Sequence, residues 1–169
     1  KYTGEMGKYP VITLSLKSMK QASYADAFYC LKEEVAREYK RHLVAMENLE
    51  SEEDKEKYYR FANRKAAPEE YLTAVKFLSE CLCAVSGSKT VILIDEYDVP
   101  LENAYFNGFY DRMATLVRSL FESALKTNET LGFAVVTGCL RISKESIFTG
   151  LNNLSIVSIM DKSYAEHFG

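Results

Sequence analysis

The sequence predicts an α/β fold, a three-layer sandwich with a mainly parallel sheet. Two observations point there. Short Val/Ile-rich runs alternate with longer segments whose apolar residues recur every three or four positions, which is the mark of strands joined by helical crossovers and hence paired in parallel. In addition, Val91–Ile94 and Phe133–Val136 are apolar at every position, as strands are when helices cover both faces of their sheet. The 169 residues suit one domain of ordinary size with a real core.

The elements follow in order. Tyr9–Leu16, YPVITLSL, alternates apolar residues with Thr13 and Ser15 and reads as a strand. Phe28, Leu31, Val35, Tyr39, Leu43 and Met46 then trace one face of a long helix. The charge-rich NLESEEDKEKYYRFANRKA reads as a solvated helix face and a turn. Pro68 suits the first turn of the next helix, with Glu69 and Glu70 at its positive end. The turn SGSK leads into the strand TVILID. After Pro100, the aromatic-rich LENAYFNGFYDRM is expected to be a loop packed against the sheet. A helix through Met113, Leu116, Val117, Leu120 and Leu125 follows, then the strand LGFAVVTG. CLRISKESIFTGLNNL reads as a loop, and Ser155–Met160 as a candidate fourth strand.

Composition excludes several classes. Lys and Arg number 21 and Asp and Glu 24, intermixed, for a formal charge of -3; a dedicated nucleic-acid binder carries a strong basic excess instead. No apolar run approaches the roughly 18–20 residues that span a bilayer, so no membrane contact is expected. Cys30, Cys81, Cys83 and Cys139 lack the second pair or the His spacing of a zinc site. They read as free, reduced thiols, which suggests a cytoplasmic location. His42 and His167 stand isolated. The chain opens without Met and ends in EHFG, and it is expected to be a piece of a longer protein.

The chemistry concentrates where strands end. In open parallel sheets, ligands bind outside the carboxyl ends of the strands. Asp95 and Glu96 close one such strand, and Thr137 and Gly138 close its neighbour. An apolar strand ending in Asp-Glu is a Walker B pattern: the first acid holds Mg²⁺ through water, and the second orients or deprotonates the attacking water. It equally describes a plain strand cap facing solvent. Asp98 reads as fixing the turn before Pro100. The partner motif, G-x-x-x-x-G-K-[ST] between strand and helix, is missing from the chain. GEMGK (Gly4–Lys8) has too short a glycine spacing, and SGSKT (Ser86–Thr90) runs into a strand.

The stretches MGKYPVITLSLKS, VILIDEYDVPLENAYFNGFYDRM, SLFESALKTN and FAVVTGCLRISKESIFTGLNNL resemble the predicted AAA-ATPase-like family, which is related to the STAND-type P-loop ATPases. The resemblance covers most of the chain. It implies a P-loop NTPase (ASCE/AAA-like) fold whose first strand and phosphate loop lie upstream, so that residues 1–169 form one partial domain holding the Walker B and sensor region. It implies Asp95 as the Mg²⁺-coordinating acid through water, Glu96 as the catalytic acid, and Thr137 as the sensor toward the γ-phosphate. Arg141 is a candidate for phosphate or neighbouring-subunit contact and reads equally as a loop-bracing arginine; Lys144 is a weaker candidate for the same work. ATP and Mg²⁺ are then expected for the full-length protein and no turnover for this chain alone. A nuclease-like domain following the chain, self-association through unpaired central strand edges, and a non-catalytic scaffold role are the further expectations. Action on nucleic acid is left open.

Overall fold

The computed structural model describes residues 4, 7–139, 147–148 and 154–158. Its elements are β1 (Val11–Ser15), α1 (Tyr24–Arg41), α2 (Leu43–Glu47), α3 (Glu52–Ala62), α4 (Ala74–Ser86), β2 (Thr90–Asp95), α5 (Val99–Phe106), α6 (Tyr110–Phe121) and β3 (Leu131–Val136). The three strands form one parallel sheet in the order β1-β2-β3. The chain is therefore α/β, with six helices and a three-stranded parallel sheet among the described residues.

Local chemistry sets the element ends. Ser23 and Ser51 cap α1 and α3 by accepting the backbone N–H of Asp26 and Asp54, each at 3.2 Å, which satisfies amides that have no partner inside the helix. The single helix expected through Met46 breaks at His42 into α1 and α2. The cause is tertiary: the buried Tyr58 hydroxyl donates to the carbonyls of Tyr39 at 2.8 Å and His42 at 2.9 Å. Pro68 opens a 3-10 stretch, Pro68–Thr73, and the α-helix proper starts at Ala74. Gly87 ends α4 in the left-handed conformation, φ 69°, which glycine adopts without the Cβ clash. Pro100 starts α5, so the aromatic stretch after it is helical and not a loop. α6 passes into a π turn, Glu122–Lys126.

The sheet buries one of its faces. Ile12, Leu14, Ile92 and Ile94 are at most 3% exposed and pack with the helical layer in the main hydrophobic cluster. A buried polar chain ties that layer to the sheet: Ser79 of α4 hydrogen-bonds Thr90 and Thr130, and Thr130 bonds Asn128. The alternate face presents Leu93, Phe133 and Val135, which are 36%, 63% and 40% exposed. The second helical layer of a three-layer sandwich is thus not among the described residues. The strands carry the apolar pattern of a doubly covered sheet, and the described residues supply one cover. The described part of the expected fourth strand, 155–158, takes no strand conformation.

The two sheet edges differ. On the outer side of β1, Glu38 of α1 accepts the N–H of Thr13 at 2.7 Å, and Arg41 donates to the carbonyl of Val11 at 2.5 Å. Arg41 also binds Glu38 directly. Burial alone would raise the Glu38 carboxyl, but hydrogen bonds from His42, Arg41 and the Thr13 N–H outweigh it and hold its pKa at about 2. β3 has no strand partner on its outer side among the described residues.

Candidate functional site

The register of the sheet builds the site. Ser15 pairs with Asp95 across β1 and β2, and Ile94 pairs with Val136 across β2 and β3. The carboxyl ends of all three strands therefore finish side by side. Past the strand ends the ladder continues: the Thr137 N–H donates to the Ile94 carbonyl at 2.8 Å, and the Thr137 carbonyl accepts from the Tyr97 N–H at 3.1 Å. Thr137 is bolted between the residues flanking the acid pair, and its hydroxyl donates to Asp95 Oδ1. The Glu96 N–H donates to the same oxygen at 2.9 Å. Asp95 Oδ2 takes part in neither bond. Asp95 and Thr137 are exposed and Glu96 is half-buried.

Glu96 has a left-handed backbone, φ 56°, a conformation uncommon for a residue with a Cβ and found most often where a side chain must be aimed. Its carbonyl accepts from the Val99 N–H at 3.2 Å as the chain turns into α5. Asp98 takes the N-cap position of α5 without a capping hydrogen bond from its side chain and is 3% exposed. Its carboxylate acts elsewhere than in the local turn expected from sequence: Oδ2 accepts the N–H of Cys139 at 2.9 Å and so ties the exit of β3 to the exit of β2. That closeness requires Gly138, since a Cβ there would stand 2.6 Å from both Asp98 Oδ1 and the Tyr97 ring.

The structure brings Asp95, Glu96 and Thr137 together. Arg141 and Lys144 lie outside the described residues. Both glycine–lysine stretches fall at the wrong end of the sheet. Gly87 and Lys89 precede β2 and Lys8 precedes β1, at the amino ends of strands whose carboxyl ends carry the acids. Sequence reading missed Lys17. Leu16 donates its N–H to the Asp95 carbonyl at 2.9 Å, which sets Lys17 beside Glu96, with Nζ 4.0 Å from Oε1. The stretch MGKYPVITLSLKS contains this lysine but gives it no role; the β1–β2 register shows its place. The aromatics after Pro100 also differ from expectation: Tyr105 and Phe106 are 70% and 77% exposed and pack edge-to-face on each other at 5.6 Å, not on the sheet. Helix α5 turns them outward because it buries Leu101 and Ala104 instead.

Among the described residues no three His, Cys, Asp or Glu side chains converge on a metal position. One open carboxylate oxygen beside a hydroxyl suits a hard cation that keeps most of its water, as Mg²⁺ does, and not a fully protein-ligated ion. All four cysteines are free, Cys81 buried and Cys139 exposed, and burial pushes the Cys81 thiol up to about 12. No helix of the described residues is long and apolar enough to cross a membrane.

The fold and site define an α/β protein with an acid pair and a hydroxyl at the carboxyl edge of a parallel sheet. The chain belongs to the predicted AAA-ATPase family, whose model matches residues 1–148. It is also similar to a protein of Azotobacter chroococcum mcd 1 described as an uncharacterized protein in the vnfD 5' region, with 34% identity over 83 residues. That match takes in 48% of this chain and 16% of the relative's length. No solved structure matches the chain.

Proposed function

We propose that this chain supplies the metal-side and sensor half of an ATP-hydrolysing regulatory module of the P-loop NTPase type. The observation that carries the reading is the joining of Asp95, Glu96 and Thr137 at the carboxyl ends of neighbouring parallel strands, where open α/β sheets bind ligands. β1, β2 and β3 take the places of the second, third and fourth strands of such a module. A strand, phosphate loop and helix from elsewhere in the full-length protein would pair with the outer edge of β3 and cover Leu93, Phe133 and Val135.

Asp95 would hold Mg²⁺ through water, with Thr137 fixing the carboxylate's orientation. The cation, when bound, neutralises phosphate charge. Glu96 accepts a proton from the attacking water, and its constrained backbone keeps the carboxylate aimed into the crevice. Thr137, on the adjacent strand end, would act as the sensor by turning its one hydroxyl hydrogen bond from Asp95 to the terminal phosphate. Arg141 and Lys144, which follow β3 in the sequence, are the candidate phosphate cations.

The test is turnover by the full-length protein. Asp95→Ala should abolish Mg²⁺-dependent ATP hydrolysis. Glu96→Gln should lower it by about 10²–10⁴-fold, the usual worth of a general base, while ATP still binds. Residues 1–169 alone should show no hydrolysis. A full-length protein indifferent to both substitutions would be a scaffold that kept the fold and lost turnover.

A further inference from the structure

We propose that the groove between α1, the 3-10 stretch Pro68–Thr73 and α6 docks an acidic peptide segment of a partner protein, one in which carboxylates flank apolar side chains. The groove has a volume of about 750 Å³. It is built from helices and not from strand ends, so the proposal does not rest on the ATPase reading. Tyr24, Phe28 and Lys32 recur at every fourth position of α1 and stand one above another on one face. The Tyr24 and Phe28 rings lie parallel, with centroids 6.0 Å apart. The Lys32 ammonium sits over Phe28 at 5.4 Å. From α6 the Arg112 guanidinium sits over Tyr24 at 3.8 Å. Leu72 and Leu116 complete the apolar lining.

Charge complementarity names the occupant. Elsewhere in the helical layer Arg37, Arg41, Arg60 and Arg64 each pair with a carboxylate. Lys32 and Arg112 do not: rings hold them, and neither makes an ion pair or hydrogen bond among the described residues. Glu69 lines the groove as well but pairs with neither. A guanidinium held over a ring still has its N–H fork to offer, and that fork matches the two oxygens of a carboxylate. The ladder from Tyr24 to Lys32 covers two helical turns, about 12 Å, which is room for several peptide residues. The half-buried Tyr24, Phe28 and Leu72 supply apolar surface between the two cations. Two cations beside one acid do not make the basic stripe that follows a phosphate backbone, so a peptide is favoured over nucleic acid.

The experiment follows the fluorescence anisotropy of labelled synthetic peptides titrated with the full-length protein. One peptide repeats Glu-Leu-Leu-Glu three times, and its control carries Gln in place of Glu. The Glu peptide should bind about tenfold or more tightly than the control. Lys32→Gln and Arg112→Gln should each weaken it about tenfold, the worth of one charge-assisted contact. Lys40→Gln, on the same helix but outside the groove, should leave it unchanged. Lys32→Glu combined with Arg112→Glu should instead prefer a peptide that repeats Lys-Leu-Leu-Lys, a gain that a misfolded protein cannot show. No binding of the Glu peptide, equal affinity for the Glu and Gln peptides, or an equal loss with Lys40→Gln would overturn the proposal. A single-stranded DNA oligonucleotide that binds more tightly than the peptide, with the same dependence on Lys32 and Arg112, would assign the groove to nucleic acid and overturn it too. So would a dimer of the protein that Lys32→Gln dissolves, which would give the groove to a second copy of the chain.

Discussion

Glu96 and Gly138 show how tightly backbone conformation is specified at the strand ends. A non-glycine residue at φ 56° carries strain on the order of 1 kcal/mol. Glu96→Gly removes that strain and adds chain entropy to the unfolded state, so urea denaturation should show stability within about 1 kcal/mol of wild type. A larger loss would mean that Glu96 braces the fold. Gly138→Ala should cost about 1–3 kcal/mol by overpacking, because the atoms 2.6 Å from the new Cβ belong to Tyr97 and Asp98, which are themselves buried. Asp95, Glu96 and Thr137 were legible in the sequence, since an apolar run ending in a polar residue says where a strand stops and what it presents. Gly138 was legible only as a strand end and Lys17 not at all, because each owes its importance to a residue on another strand exit.

At the scale of elements, the edge of β1 is held by side chains and not by a strand. Glu38 has its pKa depressed to about 2 from 4.5, so the folded state favours its ionised form. The stabilisation is complete above pH 4.5 and is lost as pH falls toward 2, and its size is about 3 kcal/mol. Glu38→Gln should lower stability at neutral pH and flatten the acid limb of a stability-pH curve between those values. An unchanged limb would show that Glu38 does not govern it. The alternation in Tyr9–Leu16 was enough to predict β1, and helical spacing was enough for α1, α4 and α6. The break at His42 was hidden because it depends on the Tyr58 hydroxyl from α3. The outward turn of Tyr105 and Phe106 was hidden for a related reason: an aromatic residue in a sequence states its size and not which face of its helix meets the core.

For the whole molecule, the apolar strands correctly foretold a parallel sheet but could not say which segment covers its second face. Hydrophobic pattern reports that a surface is to be buried and is silent on the source of the cover. The two faces should respond differently to truncation in residues 1–169. Ile92→Ala, at a fully buried site, should cost about 2–5 kcal/mol. Phe133→Ala, at a site 63% exposed, should shift stability by less than about 1 kcal/mol. In the full-length protein the Phe133 cost should rise to about 3–5 kcal/mol once that face is covered; equal costs in both proteins would show that it stays open. The asymmetry of the sheet edges also limits how copies can join. With β1 closed by Glu38 and Arg41, β3 is the one open strand edge among the described residues, and edge-to-edge association has one adhesive side per molecule. Two copies joined through that side saturate each other about a two-fold axis, and no open strand edge is left among the described residues to recruit a third. Concentrated solutions of residues 1–169 should accordingly yield discrete dimers by mass photometry, and breaking the Glu38–Arg41 closure should be what turns a self-limiting pair into an open chain of molecules.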